Sequence, residues 1–323
     1  LPDIEDINGV AAADVGAFSG VSASNIANIN GYTLPSGVTP PLDTYTGADY
    51  AFGLRLLRTA YSGPVLRVSR DTNGGTGHQD EADLAFYGGS IDLDSTLSNV
   101  STGVNSTTLG QFINVGTVGG FTYTNPDSLT VTASAGVIKW YDQSTNGLDV
   151  TANNASLLGL IHDGTADTDL NKENGFPIIK VNNLAVMTSG TYSYGTSNTV
   201  IGAFKRIYTT ADSTLLRYPS GVLGYATSGS TASADFGFGT TSYYQNGSEF
   251  QSSSPTRGDM YTATASMSIF SVLFGNPSSA TYLRLGRVGA AAMYSFYEVI
   301  GWPNQTVSRT GVETNINDHY GIF

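Results

Sequence analysis

Four dipeptides, Asn146-Gly147, Asp163-Gly164, Asn174-Gly175 and Asn246-Gly247, cut the chain from mid-length onward into short apolar runs. Asn-Gly and Asp-Gly pairs accept the positive φ angles of tight hairpin turns, which other residues resist. The runs themselves are strand-like: Leu84–Tyr87, Gly136–Tyr141, Ile178–Val181, Thr199–Phe204, Ser213–Tyr218, Gly221–Ala226, Phe236–Thr240, Ile269–Phe274, Tyr282–Arg287 and Met293–Ile300. Many short strands with regular turns predict an all-β chain folded as a sandwich. The 39 glycines and 19 tyrosines suit that reading.

Two segments have helical spacing instead. In residues 48–62, Tyr50, Leu54, Leu57 and Tyr61 recur at i, i+4, i+7 and i+11, with Arg55 and Arg58 on the other face. Gly63-Pro64 ends this helix, and Val65–Val68 follows as a strand. Residues 305–319 form the second, with Ser308 as a cap, Val312, Ile316 and Tyr320 as the docking face and Gly321 as the stop. The expected architecture therefore has one helix near the start and one at the C-terminus.

The first 34 residues are a short repeat. Gly9, Gly20 and Gly31 recur every eleven residues, as do Ile4, Val15 and Ile26. Ile7, Phe18 and Ile29 keep the same period, and so do Val10, Val21 and Tyr32. Units this short cannot bury their own apolar residues and must stack on copies or on a partner. We read residues 1–34 as an assembly arm, with the spacers Ala11 to Asp14 and Ser22 to Asn25 each as one helical turn. Residues 35–47, with Pro35, Pro40 and Pro41, read as a hinge, and 48–323 as the sandwich domain.

Composition excludes several classes. The formal net charge is −12 and only 12% of residues are charged, so no basic footprint for nucleic acid exists. With no cysteine, there is no disulfide, thiolate metal site or cysteine nucleophile. No apolar run reaches the roughly 20 residues of a membrane span.

Several stretches together resemble a known family. Ala51 through Pro64, Val65 through Arg70, Asp83-Leu84-Ala85-Phe86 and Trp140-Tyr141-Asp142-Gln143-Ser144-Thr145-Asn146-Gly147 look like the opening half of the α-L-arabinofuranosidase B catalytic domain. Asn174 through Ile179, Tyr282 through Arg287 and Phe296 through Ile300 are similar to segments of laminin-G-like and concanavalin A-like sandwiches. The resemblance implies a concanavalin/laminin-G-like jelly-roll β-sandwich, a scaffold also used by phage and bacterial surface proteins. The resembled hydrolases carry their nucleophilic glutamate in a Gly-Asn-Ala-Glu segment beside a cysteine pair. This chain has neither, and in the corresponding region its acids are Asp235 and, just beyond, Glu249. The resemblance therefore assigns no catalytic residue.

The remaining chemistry is sparse. Asp142 reads as a turn cap, and Asp83 is of the same kind. Asp163, Asp167, Asp169, Asn171 and Glu173 are oxygen donors of a kind that suits calcium, but Lys172 and Ile178 stand where an EF-hand loop needs glycine and glutamate. A solvated loop is the better reading, and no cofactor is expected. His78, His162 and His319 lack metal-ligand spacing. Tyr192, Tyr194, Tyr243 and Tyr244, in Gly/Ser/Thr-rich surroundings, are candidates for glycan stacking. The expected function is a non-catalytic virion or cell-surface structural protein, of phage tail, fibre or capsid-decoration type, that assembles through its N-terminal arm and is extracellular or on the virion surface. It would pair with itself as a homo-oligomer, with other virion or surface proteins and with host glycans, but not with nucleic acid or a membrane interior. The alternatives are a secreted glycoside hydrolase of arabinofuranosidase type and a glycan-binding lectin module.

Overall fold

The structure is a computed structural model. It describes residues 38–71, 80–118, 120–127, 129, 131–154, 158–164, 169–181, 186–190, 197–209, 213–218, 221–225, 230, 235–236, 241–251, 255–275, 283–286, 292–303 and 307–323, and within the first 37 the strand backbones 6–7, 10–11, 17–18, 21–22, 28–29 and 32–33.

Among the described residues eighteen strands join one antiparallel hydrogen-bonded network. One layer runs in the order Ser248–Gln251, Thr241–Gln245, Ser268–Gly275, Ser197–Thr209, Ala292–Trp302, Tyr50–Gly53. The other runs Leu97–Ser98, Asp80–Leu84, Leu66–Asp71, Ser134–Trp140, Val150–Ala152, Val186–Ser189, Arg284–Gly286, Ser213–Tyr218, Gly221–Tyr225, Asp235–Phe236. Gly159–His162 and Ile179–Val181 bridge them, joining Ser134–Trp140 to Ala292–Trp302.

Alternation along the strands explains the layering, because successive side chains face opposite sides. Phe52, Val200, Phe270 and Val299 point into one core, where they meet Val68, Ala82, Val137 and Trp140 of the other layer. Their neighbours Ala51, Ile201, Ile269 and Ile300 point the other way, into a second core completed by Val312, Ile316 and Tyr320 of the terminal helix. The first layer is thus covered on both faces. Gly301 is required where that layer is tightest: a Cβ there would stand 2.3 Å from the Tyr50 ring.

Two of the four turn pairs take the hairpin form, and at Asn146-Gly147 and Asp163-Gly164 only the glycine holds positive φ. At Asn174-Gly175 and Asn246-Gly247 both residues hold positive φ, the arrangement that matches strand twist in a two-residue hairpin. The terminal helix spans Arg309–Tyr320, with the Ser308 side chain accepting from the Gly311 N–H and Gly321 left-handed at its end.

The early helix does not form. Tyr50–Gly53 is a strand paired with Glu298–Gly301, and the chain beyond it runs irregularly through Leu57 to Pro64. The helical spacing of Tyr50, Leu54 and Leu57 is overridden because backbone groups of Ala51, Gly53, Arg55 and Leu57 find partners elsewhere, as described below. Helices that the sequence reading did not anticipate occur at Pro41–Thr44, Leu109–Ile113 and Arg257–Ala263, the last closed by a capping box between Thr256 and Asp259.

His319, in the last turn of the terminal helix, joins a three-ring cluster with Phe176 and Tyr320, 5.1 and 4.5 Å away. Burial, with the positive charge of Arg55 nearby, pushes its imidazole from 6.5 down to about 2. The unfolded chain therefore takes up this proton first as pH falls, so the stabilisation is full above pH 6.5 and declines below it. Between pH 7 and 5 the loss approaches about 2 kcal/mol, reduced by the helix C-terminus, which favours a cation. His319→Gln should flatten the stability profile in that window, as read from urea midpoints at the two pH values.

Candidate functional site

The eleven-residue leader repeat forms three antiparallel hairpins of the same register. Ile7 pairs with Val10, Phe18 with Val21 and Ile29 with Tyr32. Outside each central pair lies a second one, Asp6 with Ala11, Ala17 with Ser22 and Asn28 with Thr33. The period thus encodes one hairpin per unit, with Asn8-Gly9, Ser19-Gly20 and Asn30-Gly31 between the paired ends. Ala11 and Ser22 belong to strands, and the rest of the two spacers, residues 12–14 and 23–25, lies outside the described residues. Ile4, Val15 and Ile26 lie outside the described residues.

The two most distinctive motifs of the body pack against each other. Asp142 is buried and accepts four hydrogen bonds: Oδ1 from the Ala51 and Ser144 N–H groups at 2.7 and 2.8 Å, Oδ2 from the Ser144 hydroxyl and the Leu148 N–H at 2.6 and 2.8 Å. Gln143 is also buried; its amide nitrogen donates to the Gly53 and Arg55 carbonyls, and its oxygen accepts from the Leu57 N–H. The Arg58 guanidinium donates back to the Gln143 and Ser144 carbonyls. These bonds satisfy the backbone of residues 51–57 without a helix, which is why the strand-and-turn course prevails there. Asp142 does cap a turn, as expected, but its partners are Ser144, Leu148 and the distant Ala51.

Asp83 is likewise held in a network. It accepts from Arg67, Asn99 and Tyr141 at 2.9, 2.6 and 2.7 Å. Against the penalty of burial, these bonds hold its carboxyl below the ordinary carboxylate range, which suits an acceptor and not a proton donor.

The tyrosine candidates separate. Tyr243 is fully buried in the main core, so it is no surface contact: alternation along Thr241–Gln245 turns it inward. Tyr244 is half-buried with Arg309 stacked on its ring at 3.7 Å. Tyr192 and Tyr194 lie outside the described residues.

The acidic loop is paired with lysines. Asp163 accepts from Lys180 and Asn171, and Asp169 from Lys172. Among the described residues no group of His, Asp or Glu is arranged to hold a metal, and Asp167 lies outside them. Against the cost of burial, Lys180 and Asn171 hold Asp163 below the usual carboxylate range.

These lysines border a recess of about 420 Å³ lined in part by Lys172, Glu173, Lys180, Lys205, Arg206 and Ser295. It lies beside two irregularities in the pairing of Ser197–Thr209 with Ala292–Trp302, at Ala203/Phe204 and Arg206/Tyr208. The second leaves Ile207 unpaired and exposed. Sequence reasoning passed over this recess because its residues come from four separate strands. One signal was present: three of the chain's four lysines fall between positions 172 and 205.

No family model matches the chain, and no curated protein matches it. Among solved structures it is similar to a glutamate-to-glutamine mutant of a GH54 α-L-arabinofuranosidase soaked with 4-nitrophenyl α-L-arabinofuranoside, at 14% identity and a TM-score of 0.45. It is also similar to a GH54 α-L-arabinofuranosidase soaked with a cyclic sulfate inhibitor, at 14% identity and a TM-score of 0.42. A third similar structure is an arabinofuranosidase complexed with arabinofuranosyl-α-1,2-xylobiose, at 12% identity and a TM-score of 0.42. In each case 85% of this chain is covered, and it spans 63% of the other chain's length. No residue's role follows from likeness at this level.

Proposed function

We propose that this chain is a non-catalytic structural protein of a virion or cell surface, assembling with copies of itself through residues 1–34. Residues 35–47 are the hinge segment, anchored to the body where Leu42 enters the second core, and 48–323 form a jelly-roll sandwich of concanavalin type that faces outward toward other surface proteins and host glycans. The supporting observation is the leader: three hairpins of one register at an eleven-residue period. A two-stranded hairpin in water is marginal at best, because it has no second layer to bury its apolar residues. Repetition answers that only if the units stack on others of their kind, and the same three hairpins on neighbouring copies supply matching surfaces. The low share of charged residues fits a crowded surface setting, and Asp83 and Asp142 are already engaged in holding the fold.

The test compares the full chain with one beginning at residue 35. The two cores draw on residues from Leu42 to Tyr320, so the shortened chain keeps both. Light scattering should give an oligomer for the full chain and a monomer with an unchanged melting curve for the shortened one. A full chain that stays monomeric at high concentration, or a shortened chain that still assembles, would overturn the proposal.

A further inference from the structure

We propose that the recess between Lys172 and Arg206 is a binding site for a sugar carrying one carboxylate, of the uronic-acid class. In a chain of net charge −12 it gathers four cations, Lys172, Lys180, Lys205 and Arg206. Three are already paired: Lys172 with Asp169, Lys180 with Asp163, Lys205 with Glu173. Among the described residues no carboxylate pairs with Arg206. Its Nε donates to the Tyr261 carbonyl, and its guanidinium lies over the Tyr261 ring at 3.7 Å. A guanidinium held flat on one face keeps its planar fork for bidentate recognition of a carboxylate.

The charge balance sets the ligand's charge. With each lysine matched by one acid, the site has room for one more negative charge and not two. A phosphate monoester or a longer polyanion would bring further negative charge, with every lysine already matched by an acid. The surrounding −12 field also opposes multiply charged ligands.

The remaining lining suits a sugar ring. Asn171 donates through Nδ2 to the Leu160 carbonyl and to Asp163, which leaves its side-chain oxygen to accept from a hydroxyl. The paired lysines each retain donors, since an ammonium has three. Exposed Ile207 offers an apolar surface to the C–H face of a pyranose. A volume of about 420 Å³ falls within the range of small-ligand sites. This inference stands apart from assembly of the leader, so either can fail without the other.

The experiment is calorimetric titration of the full chain at low ionic strength with glucuronate, glucose and sulfate. Glucuronate should bind at least about tenfold more tightly than either of the others, a difference of about 1.4 kcal/mol. Arg206→Gln should reduce glucuronate affinity by about tenfold or more. Because Arg206 also contacts Tyr261, Ile207→Asp provides a second variant at an exposed position. It should cause a similar loss by repulsion, with an unchanged melting curve. No glucuronate binding, equal affinity for glucose, sulfate binding as tightly as glucuronate, or full affinity in Ile207→Asp would each overturn the proposal.

Discussion

Glu298→Ala should cost about 3–5 kcal/mol of stability, because it leaves the buried Arg55 guanidinium without its counter-charge. Arg55 is 3% exposed and Glu298 fully buried. Arg55 Nε donates to Oε2 at 2.7 Å and Nη2 to Oε1 at 3.1 Å. Around them, the Tyr320 hydroxyl donates to Glu298, and Arg55 Nη2 donates also to the Asn315 side-chain oxygen. The pair therefore ties the strand Ala292–Trp302 and the turn after Tyr50–Gly53 to the terminal helix, across the second core. Urea denaturation of the two proteins measures the difference. Replacing both partners with apolar residues, as in Arg55→Met with Glu298→Leu, should recover much of the loss, since two well-packed apolar groups carry no desolvation debt. A single variant that unfolds at the parent's midpoint would show that the pair is not holding the helix to the sheet.

Asp142→Ala should be nearly as damaging, at about 3 kcal/mol or more, because it orphans donors from Ala51, Ser144 and Leu148 in a buried place. Asp142→Asn should recover little. An amide presents N–H where Oδ2 now accepts from the Ser144 hydroxyl and the Leu148 N–H, so two donors would face a third. The pair of variants also separates a structural from a catalytic carboxylate. A purely catalytic acid would lose its activity on becoming asparagine with the melting curve unmoved, whereas here the melting curve itself should fall.

Many of the strands and the terminal helix were legible in the sequence because each rests on local chemistry, although the strand expected at Leu84–Tyr87 lies at Asp80–Leu84. Turn-bounded apolar runs gave the course of Ser213–Tyr218 and most of Ser134–Trp140, and Asn-Gly pairs at 174–175 and 246–247 gave hairpins. Ser308 and Gly321 bounded the helix between them. What was not legible depends on distant partners. Tyr50, Leu54 and Leu57 have helical spacing, but the strand at 298–301 and the side chains of Asp142 and Gln143 compete for that backbone and win. Tyr243 looked like an exposed aromatic until its strand's pairing with Ser268–Gly275 turned it into the core. The leader's period was visible, yet Ala11 and Ser22 suited a helical turn as well as an extended strand, so spacing alone did not choose the hairpin. The recess was hidden for a simpler reason: Lys172, Lys180 and Lys205 meet only after their strands are bridged at Ile179–Val181 with Ala292–Trp302.

Amide hydrogen exchange across the leader, followed as the full chain is diluted, bears most directly on the proposed assembly. The ladder amides of 6–33 should be protected at high protein concentration and lose that protection on dilution, while Ser197–Thr209 stays protected throughout. Leader amides that exchange at unfolded-chain rates at every concentration, or that remain protected in an isolated monomer, would contradict it.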